Sequence, residues 1–196
     1  MAETTTVVTP ARFASGLTYQ DFLAKAKVNL DKFEENYKTA HLSAEDAAFF
    51  KRVAAMPAGP AKMLALGEDW CPDVYRGLPV MAKIAEAAGM ELRIFPRDKN
   101  LDIMNEFLKQ GQYQSIPVSV FYSKDVRYIA HWIERPALAN EERVQITDQA
   151  KKDLPTANEQ DLRAEVRKRT TVRYPWWQQE TVKEIRQLLA RAPGVF

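Results

Sequence analysis

The chain has 196 residues and is 46% hydrophobic, which suits one full core with extra elements rather than two large domains. Its 28 basic and 26 acidic side chains leave a formal charge of +2, so composition gives no argument for nucleic-acid binding. With a single cysteine, Cys71, we expect no internal disulfide and no metal site. Residues 1–6 lack the basic and apolar pattern of a secretory signal peptide, and no apolar stretch is long enough to span a membrane. We therefore expect a cytoplasmic protein without membrane association.

Helical patterns dominate the residues ahead of the first strand. Apolar residues recur every three or four positions from Thr18 to about Lys38, and Thr18 provides a helix start. Ser43 gives a second start signal for a helix that ends before Pro60. We therefore predict two helices in an N-terminal helical extension, residues 1–60.

The central segment, residues 61–136, alternates between strand and helix patterns. The predicted order is strand 62–67, helix 74–88, strand 91–95, helix 101–109, and strands 117–122 and 126–132. The first two strands should be parallel because a helical crossover joins them, and the last two should form a hairpin-like pair. The segment predicts a mixed α/β core.

The last segment, residues 137–196, is polar and favours helices, so we predict a helical appendage packed on the core. For Trp176 and Trp177, a buried anchor for the last helix is favoured over a contact with a partner. A basic cluster in this segment is interleaved with acids, which favours a solvated face over an anionic-partner site. Its members are Arg163, Arg167, Lys168, Arg169 and Arg173.

Cys71 carries the only chemistry that the residues indicate. It follows the first predicted strand and precedes Pro72, the pattern of a helix with cysteine at its cap and proline in its first turn. Backbone N–H groups and the helix dipole at that position stabilise a thiolate, whereas Asp73 opposes it. The sequence leaves the sign of the net pKa shift open. The alternative is that Cys71 is a small buried hydrophobe.

Three features in chain order resemble thioredoxins. The turn Trp70–Asp73 resembles their active-site turn, Pro79 stands where their active-site helix is commonly kinked, and Ile116–Pro117 resembles their cis-proline before a central strand. The resemblance implies a thioredoxin-like fold. A cis bond at Pro117 would leave the Ile116 backbone free to hold an extended substrate segment beside Cys71.

The resemblance narrows to a bacterial thioredoxin-like family, labelled "thioredoxin family protein", with one cysteine in a Trp-Cys-Gly-Asp-Ala turn. The stretches 78–86, 92–104 and 115–117 are similar to it. Two positions depart from dithiol thioredoxins: Val74 stands at their resolving cysteine, and Ala65 stands at their buried aspartate. A mixed disulfide at Cys71 would therefore have no internal thiol to release it.

These observations leave three hypotheses. The first is a thiol-disulfide exchange protein in which Cys71 attacks a protein or small-molecule disulfide, and an external thiol such as glutathione resolves the adduct. In it, Trp70 walls the site, Pro72 sets the helix start, Asp73 tunes the thiol, and no cofactor beyond the external thiol is expected. The second is a redox-inactive thioredoxin-fold binding or scaffold module. The third is a homodimeric thiol sensor or iron–sulfur site to which each copy contributes its cysteine.

Overall fold

The computed structural model describes residues 6–192; residues 1–5, on which the expectation of no leader partly rests, lie outside the described residues. The helices are α1 (Pro10–Ala14), α2 (Tyr19–Lys25), α3 (Leu30–Thr39), α4 (Ala44–Ala54), α5 (Pro72–Ala88), α6 (Leu101–Met104), α7 (Ala137–Asp153), α8 (Glu159–Thr171) and α9 (Tyr174–Ala190). The strands are β1 (Lys62–Gly67), β2 (Glu91–Pro96), β3 (Val118–Tyr122) and β4 (Tyr128–Ile133). None of these helices is both long and apolar enough to cross a membrane.

The four strands form one mixed sheet in the order β2-β1-β3-β4. β1 pairs in parallel with β2, from Lys62 opposite Glu91 to Gly67 opposite Pro96, and antiparallel with β3. β4 is antiparallel to β3. The predicted parallel pair and hairpin are both confirmed. β1 and β3 occupy the centre of the sheet and are buried on both faces, which is why their sequences are nearly continuous apolar runs.

Helix α5 lies between the sheet and helices α3, α4 and α9, so it is buried on almost every side. Two glycines set its distance from its neighbours. A Cβ on Gly67 would lie 2.8 Å from a Val74 methyl group, and a Cβ on Gly77 would lie 3.2 Å from the Pro117 ring. The first turns of α5 thus lie directly against the end of β1 and the residue that precedes β3.

The helix predicted from Thr18 to Lys38 is two helices, α2 and α3, separated by a break. The Asp69 carboxylate accepts the backbone N–H of Lys27 at 2.6 Å, and the Asn29 side chain donates to the Asp69 carbonyl at 2.9 Å. Asn29 has a left-handed backbone, with φ of 59°. Contacts with the loop before Cys71 therefore replace the helical hydrogen bonds that periodicity predicts.

Two other helix predictions are corrected by the structure. Among residues 6–61, four helices precede β1 rather than two: the break between α2 and α3 adds one, and α1, with Pro10 in its first turn, adds the other. The helix predicted over 101–109 ends at Met104. Beyond it, the backbone N–H of Lys109 bonds the carbonyl of Tyr113 at 2.9 Å, so the chain turns instead of continuing the helix.

Helix α9 fixes the C-terminal helices to the rest of the molecule. Trp177 is 1% exposed and its indole N–H donates to Glu142 of α7 at 2.7 Å, whereas Trp176 is 51% exposed. The indole N–H of Trp132 on β4 donates to Glu184 of α9 at 2.8 Å. The prediction of a buried anchor is confirmed for Trp177 and wrong for Trp176.

Candidate active site at Cys71

Cys71 is the N-cap residue of α5. Its backbone is extended, with φ of −87° and ψ of 123°, and Pro72 occupies the first helical position. The Cys71 carbonyl accepts the N–H groups of Val74 and Tyr75 at 3.0 and 3.1 Å, which closes the first turn. The backbone N–H groups of Asp73 and Val74 also lie where they favour a thiolate on Cys71.

The thiol faces the segment that precedes β3. The Cys71 S–H donates to the carbonyl of Ile116 at 3.8 Å, and the peptide bond between Ile116 and Pro117 is cis. The structure thus brings Cys71, Ile116 and Pro117 together from elements 45 residues apart in sequence. The carbonyl of Pro117 accepts the N–H of Glu134 at 2.6 Å, which places the end of β4 beside the same segment.

Burial decides the sign of the thiol pKa shift that the sequence leaves open. The Cys71 side chain is 9% exposed. Burial raises the pKa of the Cys71 thiol, and the negative charge of Asp73 raises it further. The N–H groups of Val74 and Asp73 and the charge of Arg135 oppose this rise without cancelling it. The thiol is therefore mainly protonated at neutral pH.

Asp73 is buried between two arginines. Its carboxylate accepts hydrogen bonds from Arg135 at 2.6 Å and from Arg76 at 3.3 Å, and it is 7% exposed. Arg76 is fully buried, and burial lowers the pKa of its guanidinium. Within residues 6–192, its Nε and Nη1 atoms have no hydrogen-bond partner. The carboxylate beside the thiol therefore also neutralises the most buried cation in the site.

The network continues to the end of β4. Glu134 forms ion pairs with Arg135 and with Lys109, and its carbonyl accepts a hydrogen bond from Arg76 at 3.3 Å. Sequence analysis missed these residues. The spacing of Asp73 and Arg76, three positions apart on one helix, is a signal for the first pair. Arg135 is 62 residues from Asp73, and no local pattern joins them.

Trp70 directly precedes Cys71 in the chain. Its ring is 50% exposed, and the guanidinium of Arg97 lies 5.2 Å from the ring centroid. Arg97 also donates to the carbonyl of Gln114 at 3.1 Å, so Arg97 connects the Trp70 ring to the segment before Pro117. In the described part of the chain, the backbone N–H groups of Ser115 and Ile116 donate no backbone hydrogen bond.

The two departures from dithiol thioredoxins lie inside the protein. Val74 and Ala65 are both fully buried and apolar, so neither supplies a second thiol or a proton acceptor. Among residues 6–192, no three His, Cys, Asp or Glu side chains cluster as a metal site requires. Cys71 supplies the thiol of the site, and the sequence has no other cysteine.

The topology of the sheet and the position of Cys71, at the start of the helix after β1 and opposite a proline before β3, define a thioredoxin-fold protein. The model of a family described as thioredoxin matches residues 16–151. The chain belongs to this thioredoxin family. The predicted α/β thioredoxin-like fold is confirmed.

Two solved structures share this fold over most of the chain. A Pseudomonas aeruginosa protein of unknown function is 15% identical with a TM-score of 0.64, and the match covers 93% of this chain and 98% of that one. An HIV epitope scaffold is also 15% identical, with a TM-score of 0.62 and the same coverage of both chains. At this identity the likeness shows the fold alone. No curated protein sequence gives a significant match.

Proposed function

We propose that the chain is a one-thiol exchange protein of the bacterial, single-cysteine thioredoxin-like group, acting in a reducing cytoplasm. Its partners are protein or small-molecule disulfides and an external thiol such as glutathione. The observation that carries the proposal is the position of Cys71, whose sulfur lies at the start of α5 and 3.8 Å from the carbonyl of Ile116. A disulfide bound against the segment before Pro117 would lie beside that sulfur.

The reaction has two exchange steps. In the first, the Cys71 thiolate attacks one sulfur of the substrate disulfide, a mixed disulfide forms, and the other substrate sulfur leaves as a thiolate. In the second, an external thiolate attacks the bound partner's sulfur in the mixed disulfide, and Cys71 leaves as the thiolate. No net oxidant is consumed, because each step exchanges one disulfide for another. The external thiol is needed because Val74 is apolar.

The raised pKa of Cys71 limits the fraction of thiolate that this chemistry can use at neutral pH. Since the thiolate is the nucleophile, exchange is slow at neutral pH and accelerates as pH rises. The carboxylate of Asp73, which Arg135 and Arg76 hold in place, contributes to this slow exchange because its negative charge raises the pKa of Cys71. We infer that the protein reacts slowly with soluble disulfides and faster with a partner whose binding brings positive charge close to the sulfur.

The second candidate is a redox-inactive binding module. It is favoured by the burial of Cys71 and its raised pKa, together with the apolar side chains at Val74 and Ala65. In this alternative the segment before Pro117 still binds an extended peptide, and Cys71 serves only as a small core residue.

Glutathione disulfide distinguishes the two candidates. The native chain is incubated with it, adducts are followed by intact-protein mass spectrometry, and reduced glutathione is then added. The exchange function predicts that the folded protein forms one glutathione adduct, that the adduct forms faster at higher pH, and that reduced glutathione releases it completely. Cys71→Ser is the matched control and should form no adduct.

The unfolded protein is the reference for a negative result. Chain unfolded in urea exposes Cys71 fully and should form the adduct under either candidate. If the folded protein forms none over the time in which the unfolded chain reacts completely, the exchange function is wrong and the binding module stands.

A further inference from the structure

A cleft of about 500 Å³ lies between α7, α8 and the first turn of α5. We call it the basic cleft. Its floor is apolar and aromatic, formed by Leu162, Val166, Tyr174 and Trp177. Its rim is cationic, formed by Arg143, Lys151, Arg163 and Arg167. The cleft shares Pro72 and Asp73 with the candidate active site, but Cys71 is not among its lining residues.

The arginines of the C-terminal helices differ in whether they have acidic partners. Arg169, Arg173 and Arg186 each contact at least one carboxylate at 2.6 to 2.8 Å. By contrast, the side chains of Arg143 and Arg167 make no ion pair or hydrogen bond within residues 6–192, although their backbone carbonyls accept hydrogen bonds from nearby threonine hydroxyls. The two unpartnered arginines are on different helices and both line the basic cleft.

The acids of the cleft do not balance its rim. Two carboxylates line it, and both already have partners: Asp73 is bound by Arg76 and Arg135, and Glu159 is bound by Arg163. Lys151 makes only a loose contact with Asp148, at 3.9 Å. Within the described residues, neither Arg143 nor Arg167 has a carboxylate at ion-pair distance, so both side chains are available to an anion in a concave site, where a bound anion loses part of its exposure to water and salt.

Members of the basic cluster differ in whether a carboxylate pairs with them. Arg169 and Arg173 form ion pairs with carboxylates, whereas Arg167 lines the cleft together with Arg143 of α7. The volume and the lining residues of the basic cleft are also those of a small-molecule site. The volume is within the range of about 300 to 1,000 Å³ typical of small-molecule sites, which combine apolar walls with a few polar contacts.

We propose that the basic cleft binds a small molecule that carries a phosphate or carboxylate group on an apolar body. Arg143 and Arg167 hold the oxyanion from opposite helices, and Trp177 and Leu162 contact the apolar part. Guanidinium groups suit this role because their planar N–H donors match the oxygens of both anions. The proposal does not depend on exchange at Cys71.

Three probes with the same ring separate the contributions. Phenyl phosphate, benzoate and benzyl alcohol are titrated into the full chain by isothermal titration calorimetry. We expect saturable binding at one site for at least one oxyanion and much weaker binding for the uncharged alcohol. Tighter binding of phenyl phosphate identifies a phosphate ligand, and tighter binding of benzoate identifies a carboxylate ligand.

Matched variants locate the site. Arg143→Gln and Arg167→Gln should each weaken oxyanion binding about tenfold, the value of one lost charge-assisted hydrogen bond. Arg127→Gln removes an exposed cation from the turn between β3 and β4 and should leave affinity within about twofold. Thermal melting checks that all variants remain folded. The proposal is wrong if neither oxyanion binds better than benzyl alcohol, or if Arg127→Gln weakens binding as much as the cleft variants.

Discussion

Replacing Asp73 by asparagine tests the buried charge network next to Cys71. The substitution keeps the shape of the side chain and removes its charge. Arg76, which is fully buried, then loses its ionised partner, and Arg135 keeps only Glu134. An uncompensated buried charge is among the few single changes that destabilise a domain strongly.

The magnitude follows from burial and contact distances. Removing one partner of a buried ion pair costs about 3 to 5 kcal/mol. In the wild type, Arg135 donates to the Asp73 carboxylate at 2.6 Å, and the asparagine oxygen of the variant can still accept this hydrogen bond. We therefore take the lower value, about 3 kcal/mol. With a urea dependence of about 2 kcal/mol per molar, the unfolding midpoint of Asp73→Asn should fall by about 1.5 M.

A double-mutant cycle isolates the contribution of the pair. Urea unfolding is measured for Asp73→Asn, for Arg76→Met, and for the double variant. Methionine removes the charge that asparagine leaves unpaired. The double variant should therefore be more stable, by at least about 1 kcal/mol, than the sum of the two single effects predicts. Asp102→Asn, in an ion pair whose acid is half-exposed, is the control and should change stability by less than about 1 kcal/mol.

Two results would refute the reasoning. One is an Asp73→Asn protein no less stable than Asp102→Asn. The other is additivity of Asp73→Asn and Arg76→Met within about 0.5 kcal/mol, which would mean that the two side chains are not coupled.

Three further predictions concern the core, the second thiol position and pH. Trp177→Ala should cost about 3 to 5 kcal/mol in urea unfolding, whereas Trp176→Ala should stay within about 0.5 kcal/mol. Val74→Cys adds a thiol in the turn that follows Cys71, so a glutathione adduct should be released without external thiol, as followed by mass spectrometry. The raised pKa of Cys71 predicts that the wild type loses stability relative to Cys71→Ala as pH rises above about 8.5, because the unfolded chain ionises first. Urea titrations on either side of that pH test the last prediction.

Local patterns predicted the elements whose boundaries are set by their own residues. Proline at the first turn of α5 and Gly89 at its end, with a left-handed φ of 70°, fix that helix from sequence alone. The short apolar run at residues 62–67 predicted a strand, and the structure places it at the centre of the sheet as β1. The resemblance of the Trp70–Asp73 turn, Pro79 and Ile116–Pro117 to thioredoxins then predicted the thioredoxin-like fold.

Contacts distant in sequence account for what the patterns missed. The break between α2 and α3 depends on Asp69, about forty residues away, whose carboxylate takes the N–H of Lys27. The partner of Asp73 is Arg135, from the end of β4. The sign of the Cys71 pKa shift depends on burial, which is a property of the packed molecule rather than of the turn. Periodicity and capping rules carry no information on such contacts.

The alkylation rate of Cys71 against pH tests the central claim most directly. We would label folded protein, urea-unfolded protein and folded Asp73→Asn with iodoacetamide from about pH 6 to about pH 10, a range that includes the pKa of an unperturbed cysteine thiol. The account predicts complete labelling of the folded protein, a midpoint above that of the unfolded chain, and a lower midpoint in Asp73→Asn than in the wild type. Labelling that occurs only as the protein unfolds globally, or a folded midpoint at or below that of the unfolded chain, would contradict it.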